Sequence, residues 1–435
     1  MNKLEKYSSY KDSGVEWLGK IPEHWEIQKL KFNSKIETGN SISDSQKGNY
    51  ENIEDESYPY IATKDINYDF STIDYSNGLR IPINNKNFKI SNQDTTLICI
   101  EGGSAGKKIA FNTQKICFVN KLASIQSINS NVPKFLYYLT KSYIFKKQFE
   151  LSMNGLIGGV SISTMKNFEL IFPPKEEQTK IASFLDEKTA QIDEVISQKE
   201  KLIELLKERK QIVINDAVTK GLDKNVEFVD SGVEWIGKIP KQWKLIPLKY
   251  ILKERNERSI SGEETLFMMS QIYGLVVRAD YHEKAEVAKD SIGNKKVYKN
   301  DLVFNKLKAH LGVFYKSNID DVGLVSPDYA VYYTNDKIED LKFLEILFRH
   351  PKYIGQFISL ATGIVEGLIR LYTDDLFSLK VAVPPKEEQK QIIIYCEEQV
   401  SKIDKAIELQ QNYISKLKEY KASLIDSVVT GKVKV

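Results

Sequence analysis

Two long stretches of the chain repeat apolar residues at alternating steps of four and three, the spacing of a coiled-coil seam. Seven of ten such positions are apolar from residue 181 to 213, and eight of ten from 392 to 424. Neither helix could bury its stripe alone, so we predict that the two pack together as an antiparallel coiled coil. The predicted seam is Ile181, Leu185, Ile192, Val195, Leu202, Leu206, Val213, Ile392, Ile403, Ala406, Tyr413, Leu417, Tyr420 and Leu424.

Both predicted helices begin with the same letters, PPKEEQ, at Pro173 and at Pro384. Proline suits a first turn that needs no N–H donor, and glutamate complements the positive end of a helix. The first helix, of roughly 40 residues at about 1.5 Å each, would form a rod about 60 Å long. Such a rod could hold two domains apart.

The segments before the two helices share one order of elements. Apolar runs of strand character at 58–66 and 265–272 are followed by strand–loop–strand patterns at 95–111 and 300–314. Further strands and a helical pair come next, so each half reads as an α+β domain. We predict domains at 1–172 and 222–383, with the long helices at 173–221 and 384–435.

A repeated passage opens each half: DSGVEWLGKIP at residues 12–22 and DSGVEWIGKIP at 230–240. Each continues to a second tryptophan, so the passages hold all four of the chain's tryptophans, Trp17, Trp25, Trp235 and Trp243. Exposed aromatic rings can stack on bases. Because these rings lie where the halves differ least, we predict instead that they anchor each domain to the helices.

Composition narrows the function classes only slightly. Of 435 residues, 42% are hydrophobic and 28% charged, and the net charge of +3 is too small to indicate nucleic acid by itself. No apolar run approaches the roughly 20 residues of a membrane span, and the first residues lack a signal peptide's apolar stretch, so a cytoplasmic protein is expected. Three scattered cysteines and four histidines show no metal-binding spacing.

Taken in order, the repeated motifs resemble the DNA specificity subunit of Type I restriction-modification systems over essentially the whole chain. The residues that carry the resemblance are SGVEWLGKIPEHW and SGVEWIGKIPKQW, PPKEEQ in both halves, IASFLDEKTAQID and the later SKIDKAI, and the endings AVTKG and VVTGK.

The resemblance implies two target-recognition domains, each reading one half of a split site in double-stranded DNA, with the helices acting as a ruler. It also implies docking of two modification subunits that carry S-adenosylmethionine, and of restriction subunits that hydrolyse ATP with Mg²⁺. The chain itself would hold no cofactor and no catalytic centre. Because the two halves differ in sequence, we expect an asymmetric, bipartite target.

Residues that read DNA should lie in the segments that differ between the halves. Arg or Lys pairs with guanine, Asn or Gln with adenine, and further lysines contact phosphates. The candidates in the first half are Thr63, Lys64, Gly103, Ser104, Lys107, Lys108, Asn120 and Lys121. Those in the second half are Ser270, Gln271, Arg278, Asn305, Lys306, Lys308, His310, Ser326 and Asp328.

Other functions find weaker support in the residues. Residues 102–108, GGSAGKK, resemble a phosphate-binding loop but are one residue short and lack its Ser or Thr. Residues 326–329, SPDY, lack the second proline of an amino-methyltransferase motif, and a nuclease pattern through Asp328, Asp340 and Lys342 arises easily by chance. The alternative of a different class is a duplicated coiled-coil scaffold that binds protein partners.

Overall fold

The computed structural model describes residues 5–15, 18–51, 53, 56–153, 158–281, 291–334, 337–362 and 370–435. Contacts divide the chain into two units, Met1–Lys201 with Gln410–Val435, and Leu202–Leu409. Each unit therefore contains one α+β domain together with a portion of each long helix. Trp17 lies outside the described residues.

The first unit builds its domain around two four-stranded sheets, with the strand orders β6-β5-β10-β7 and β4-β11-β8-β9. Only β5 and β10 run parallel among the described strand pairs of these sheets. The strands are β1 (Tyr10–Asp12), β2 (Lys20–Pro22), β3 (Glu26–Lys29), β4 (Ser34–Thr38), β5 (Ser57–Ile61), β6 (Arg80–Pro82), β7 (Ile90–Ser91), β8 (Thr95–Cys99), β9 (Ile109–Asn112), β10 (Ile116–Phe118), β11 (Leu122–Ser127) and β12 (Glu169–Phe172); the helices are α1 (Pro133–Thr140), α2 (Tyr143–Leu151), α3 (Ile162–Met165) and α4 (Lys175–Lys220).

Alternation along β8 explains how one sheet serves two cores. Leu97 and Cys99 point into a cluster shared with the other sheet, whereas Ile98 packs with α1, α2 and the long helices. Successive side chains of a strand face opposite sides, so a fully buried strand needs apolar residues at every position.

The second unit repeats this topology strand for strand. Its four-stranded sheets have the orders β18-β17-β22-β19 and β16-β23-β20-β21, and again only β17 and β22 run parallel among the described pairs. The strands are β13 (Phe228–Asp230), β14 (Lys238–Pro240), β15 (Lys244–Pro247), β16 (Leu252–Glu254), β17 (Thr265–Ser270), β18 (Gly274–Val277), β19 (Lys295–Val297), β20 (Leu302–Asn305), β21 (Phe314–Lys316), β22 (Gly323–Val325), β23 (Tyr329–Thr334) and β24 (Lys380–Val383); the helices are α5 (Lys342–Leu347), α6 (Pro351–Leu360), α7 (Thr373–Ser378) and α8 (Lys386–Val429).

Within the first unit, the beginning of α4 lies antiparallel to the end of α8. Lys421 Nζ donates to both carboxylate oxygens of Asp193 at 2.6 Å, and Lys199 Nζ donates to Gln410 Oε1 at 2.9 Å. Positions that advance along one helix thus retreat along the other. The predicted α+β fold with antiparallel long helices is confirmed.

Within the second unit, the end of α4 and the beginning of α8 repeat the arrangement. Ala217 and Val218 share a buried cluster with Ile392 and Cys396. Lys210 Nζ donates to Asp404 Oδ1 at 2.7 Å, which reproduces the Lys421–Asp193 pair of the first unit.

Four of the fourteen predicted seam positions are exposed, and in α4 the residue after each exposed position is buried instead. Val195 and Leu202 are exposed, by 39% and 41%, while Ile196 and Ile203 beside them are buried. In α8, Tyr413 and Tyr420 are likewise exposed. Predicted positions that are buried are Ile181, Leu185, Ile192, Ile392, Ile403 and Leu424, and those that are half-buried are Leu206, Val213, Ala406 and Leu417.

The predicted seam and the buried seam share every second position of α4, which explains why the sequence did not distinguish them. A seam of alternating steps can place the shorter step first or second, and the apolar pairs at 195–196 and 202–203 satisfy both choices. The buried residues Thr189 and Ile196 show that α4 places the step of four after Leu185 and again after Ile192.

The corrected seam can be tested by shortening adjacent side chains. We expect Ile196→Ala to lower the free energy of unfolding by about 2–5 kcal/mol, because Ile196 is 2% exposed in the core of the first unit. The matched Val195→Ala should change it by less than about 0.5 kcal/mol, as is usual at the surface. Denaturant unfolding of the full chain measures both. A larger effect at Val195 would contradict the corrected seam.

Candidate nucleic-acid interface

In the first unit, the predicted DNA-contacting residues come together at one sheet edge. Ile100 N–H donates to the carbonyl oxygen of Lys121 at 3.0 Å, and Lys108 Nζ donates to that of Thr63 at 2.8 Å. Three segments distant in sequence, 62–65, 100–108 and 119–121, therefore form one surface. Its exposed predicted residues are Lys64, Gly103, Lys107, Asn120 and Lys121, and its half-buried ones are Thr63, Ser104 and Lys108.

The loop at 100–108 is held close to the helices behind it. Gly106 has φ +70°, and a Cβ there would lie 2.7 Å from the Cδ1 atom of Phe149. The loop connects β8 to β9, whereas a nucleotide-binding loop would lead into a helix. Its glycines thus serve a tight strand-to-strand turn.

In the second unit, most of the predicted residues gather at the corresponding edge. Asn305 stands opposite Tyr329 in the β20–β23 register, which places the loop after β20 beside the turn Ser326–Asp328. Lys308 and His310 continue that loop and are exposed. The turn 326–328 joins β22 to β23, as 119–121 joins β10 to β11.

The β17–β18 hairpin carries three predicted residues to different places. Because β17 runs parallel to β22, Ser270 and Gln271 extend past the edge that holds Ser326. Arg278 follows β18 at the opposite end of the hairpin, since Val277 pairs with Phe267. The structure therefore does not bring Arg278 to this edge.

Lys306 is engaged inside the protein. Its side chain is 14% exposed, and its Nζ lies 3.2 Å from Glu254 Oε1, which also accepts a hydrogen bond from the buried Lys295 at 2.9 Å. Burial alone would raise the pKa of Glu254. Hydrogen bonds from Lys295 and Thr373, together with the charges of the two lysines, outweigh burial, so the pKa is lowered. Lys306 thus belongs to a buried ion group.

Arg370 is a candidate that the sequence did not indicate. Its guanidinium forms an ion pair with Asp328, and its side chain remains 36% exposed. Leu371 N–H donates to the carbonyl oxygen of Lys306 just as Val160 N–H donates to that of Ile100. Arg370 therefore occupies the place of Gly159 in the first unit, in a loop that carries no repeated motif.

Behind each edge, a tryptophan is hydrogen-bonded to the start of a long helix. Trp25 is fully buried and its Nε1 donates to Glu177 Oε2 at 3.0 Å; Trp243 is 4% exposed and donates to Glu388 Oε2 at 3.0 Å. The packing role predicted for these two tryptophans is confirmed. Trp235 packs edge-to-face on Tyr353 at 4.9 Å, also within the protein.

The glycine that follows each long helix lies close to the tryptophan of the same unit. A Cβ on Gly431, after α8, would lie 3.1 Å from Trp25 and 2.5 Å from Pro22. A Cβ on Gly221, after α4, would lie 2.5 Å from Glu388 Oε1 and 3.4 Å from Trp243. Both glycines have φ above +70°, so the AVTKG and VVTGK endings are fixed by space and by backbone conformation.

The glutamine of each PPKEEQ motif ties the helix start to its domain. Gln178 is 3% exposed; its Oε1 accepts from Val132 N–H at 3.0 Å and its Nε2 donates to Asn131 Oδ1 at 2.7 Å. Gln389, fully buried, accepts from Glu339 N–H at 3.0 Å in the same way. A buried amide with satisfied partners fixes orientation, because leaving either group unpaired costs free energy.

Within the part of the chain that the structure describes, no group of three or more His, Cys, Asp or Glu could hold a metal ion. In the same ranges, no helix is long and apolar enough to cross a bilayer. The acids of the loose nuclease pattern have structural partners: Asp328 pairs with Arg370, and Asp340 Oδ2 accepts from Lys316 Nζ at 2.8 Å.

The chain is similar to specificity subunits of Type I restriction-modification systems. Residues 22–205 match the family model described as the Type I restriction modification DNA specificity domain. The chain is 23% identical to the Type I restriction enzyme MjaVIII specificity subunit of Methanocaldococcus jannaschii, over 96% of this chain and 94% of that protein. It is 24% identical to the EcoKI specificity subunit of Escherichia coli K12, over 95% and 90% respectively.

Solved structures show the same fold. A chain from a Type I restriction-modification system, solved to describe complex assembly and conformational transition, aligns with a TM-score of 0.69 at 14% identity, covering 95% of this chain and 99% of that one. The HsdS subunit of Thermoanaerobacter tengcongensis aligns with a TM-score of 0.54 at 15% identity, covering 95% and 98%.

The Trp25–Glu177 anchor predicts acid sensitivity. Burial alone would raise the pKa of Glu177, but hydrogen bonds from His24, Trp25 and Tyr7 outweigh it and lower the pKa below its ordinary value of 4.5. A depressed carboxyl pKa stabilises the fold above pH 4.5, and this contribution is lost as pH falls through the folded-state value. We therefore expect Glu177→Gln to be less stable than wild type at pH 7, with a smaller loss below pH 4.5.

Unfolding midpoints measured from pH 7 to pH 3 test this expectation. The exposed neighbour Glu176 supplies the matched control, since Glu176→Gln removes the same charge from the same helix turn. Equal pH profiles for the two variants would show that the Glu177 hydrogen bonds do not stabilise the domain.

Proposed function

We propose that the chain, which is similar along most of its length to specificity subunits of Type I restriction enzymes, gives such a complex its DNA sequence specificity and performs no chemistry itself. The two units share every sheet order and the Trp–Glu anchor, yet present different side chains at the same edge. That contrast is the observation on which the proposal depends.

Each unit would read one half-site. The turn after the equivalent strands β10 and β22 carries Asn120 and Lys121 in one unit and Ser326 and Asp328 in the other. Amide and ammonium groups donate where a carboxylate can only accept, so the two edges match different bases. We therefore propose an asymmetric, bipartite target. Arg370, held by Asp328, joins the readers of the second half-site.

The long helices would connect the two recognition domains and bind the partner subunits. Each helix contributes residues to both units, and its surface keeps apolar side chains exposed outside the seam, among them Leu205, Ile212, Ile394 and Leu409. We propose that two modification subunits dock there. S-adenosylmethionine, ATP and Mg²⁺ would be bound by the modification and restriction subunits.

Exchanging one recognition domain tests whether each domain reads its own half-site. Replacing residues 230–379 with the equivalent segment of a relative should change one half-site of the methylated sequence and leave the other unchanged. Methylation mapping of DNA modified by the reconstituted complex measures both halves at once, so the unchanged half-site is an internal control. An unaltered target would contradict the proposal.

Lengthening the first helix tests the ruler. Inserting four residues between Ile212 and Leu222, about one turn or ~6 Å of helix, should change the number of base pairs between half-sites but neither half-site sequence. The control places the same insertion between Asp223 and Lys224, beyond the end of α4. A spacing that stays constant after the helix insertion would show that α4 does not set it.

A further inference from the structure

A cationic cavity of about 200 Å³ lies in the first unit, between the loop at 100–108 and the long helices. Two aspartates, Asp69 and Asp193, also line it. Its walls include five lysines against these two aspartates, an excess of three positive charges: Lys107, Lys141, Lys146, Lys418 and Lys421.

The five lysines come from four separate segments. Lys107 belongs to the loop between β8 and β9, Lys141 directly follows α1, and Lys146 lies in α2. Lys418 and Lys421 lie on α8. Like charges that line one cavity repel, so bringing these segments together is unfavourable unless an anion compensates them.

The two aspartates form their ion pairs with the lysines of α8. Lys421 Nζ donates to both oxygens of Asp193 at 2.6 Å, and Lys418 Nζ donates to Asp69 Oδ1 at 2.6 Å. Among the described residues, neither Lys141 nor Lys146 forms an ion pair with a carboxylate.

Lys141 lies in a setting that disfavours its charge. The face of the Tyr137 ring, whose centroid lies 4.5 Å from Lys141 Nζ, attracts the cation, but burial acts against the charge. Burial lowers the pKa of Lys141 to about 8, against the opposing effect of Asp193 and with a smaller contribution from Lys134. An anion in the cavity would stabilise the charged form of Lys141.

The second unit lacks this group, which makes the cavity a feature of one half. The helix–helix ion pair recurs there as Lys210 with Asp404, so that pair belongs to the shared frame. At the positions of Lys141 and Lys146, however, stand Arg349, which pairs with Glu345, and the apolar Ile354.

We propose that this cavity binds a phosphate of the DNA backbone beside the first half-site, with Lys141 and Lys146 as its main ligands. The inference rests on the proposed function, in which the loop at 100–108 faces DNA. Lys107 belongs to both the reading surface and the cavity, so a strand contacted by the loop passes within reach. A phosphate contact fixes position without reading sequence.

Salt dependence of DNA binding tests the proposal on the assembled methyltransferase complex. Each lost phosphate contact reduces the magnitude of the slope of log affinity against log salt by about 0.9. We expect the double variant Lys141→Met with Lys146→Met to show a slope smaller in magnitude by about 1, weaker binding at low salt and an unchanged methylated sequence.

Two further variants distinguish the loss of charge in the cavity from a general loss of charge and from a folding defect. Lys35→Met with Lys115→Met removes the same charge from exposed positions of the same unit and should keep the wild-type slope. Lys141→Arg with Lys146→Arg keeps the cavity cationic and should also keep that slope. If the methionine variant unfolds, methylphosphonate substitution of single phosphates beside the first half-site should weaken wild-type binding at one position.

Distinct results would overturn the two proposals. A wild-type slope in the methionine variant, with specific binding intact, would refute the phosphate site and leave the proposed function standing. A wild-type complex without salt-dependent, sequence-specific binding would refute the proposed function itself. If inorganic phosphate raised the unfolding midpoint of wild type but not of the methionine variant, while their slopes agreed, the cavity would be a site for a free anion rather than for DNA.

Discussion

A tryptophan N–H that donates to a glutamate at the first turn of a long helix holds each half of this protein together. In one unit Trp25 donates to Glu177 of α4, and in the other Trp243 donates to Glu388 of α8. Hydrogen bonds to charged groups contribute about 1.5–3 kcal/mol, more than neutral ones. Because the glycine that ends the opposite long helix contacts the same tryptophan, one small assembly fixes the start of one helix and the end of the other against the sheets. The proposed DNA-contacting edge of each unit depends on this frame for its orientation.

The frame was accessible from the sequence because its geometry leaves few residue choices. A helix start needs its proline and its acids, a buried indole needs an acceptor, and a close-approaching backbone needs glycine, so DSGVEW, PPKEEQ and the glycine endings appear twice. The α+β class and the antiparallel helices followed from the same repetition and are confirmed. Spacing alone could not choose between Val195 and Ile196, since both registers were apolar, and only contacts with the domain decide which face is buried.

The candidate interface was predictable in location but only partly in membership. The sheets of the two units have equivalent strand orders, so loops at equivalent strand ends lie at the same edge in each unit. Asn120 and Ser326 therefore take equivalent positions. Side-chain chemistry is another matter. Lys306 looks like a phosphate ligand in the sequence, yet it is engaged by Glu254 inside the fold, and Arg370 lies far along the chain from the segments whose edge it joins. Tertiary contacts of this kind leave no periodic signal. Whether the remaining candidates touch DNA stays a prediction.

We propose that the duplicated frame presents two different edges to DNA. Methylation mapping of the native genome, compared with a strain that lacks this chain, tests it most directly. We expect the loss of one interrupted motif, made of two unlike half-sites separated by a fixed number of unspecified base pairs. Loss of a continuous or symmetric motif, or no loss at all, would contradict it.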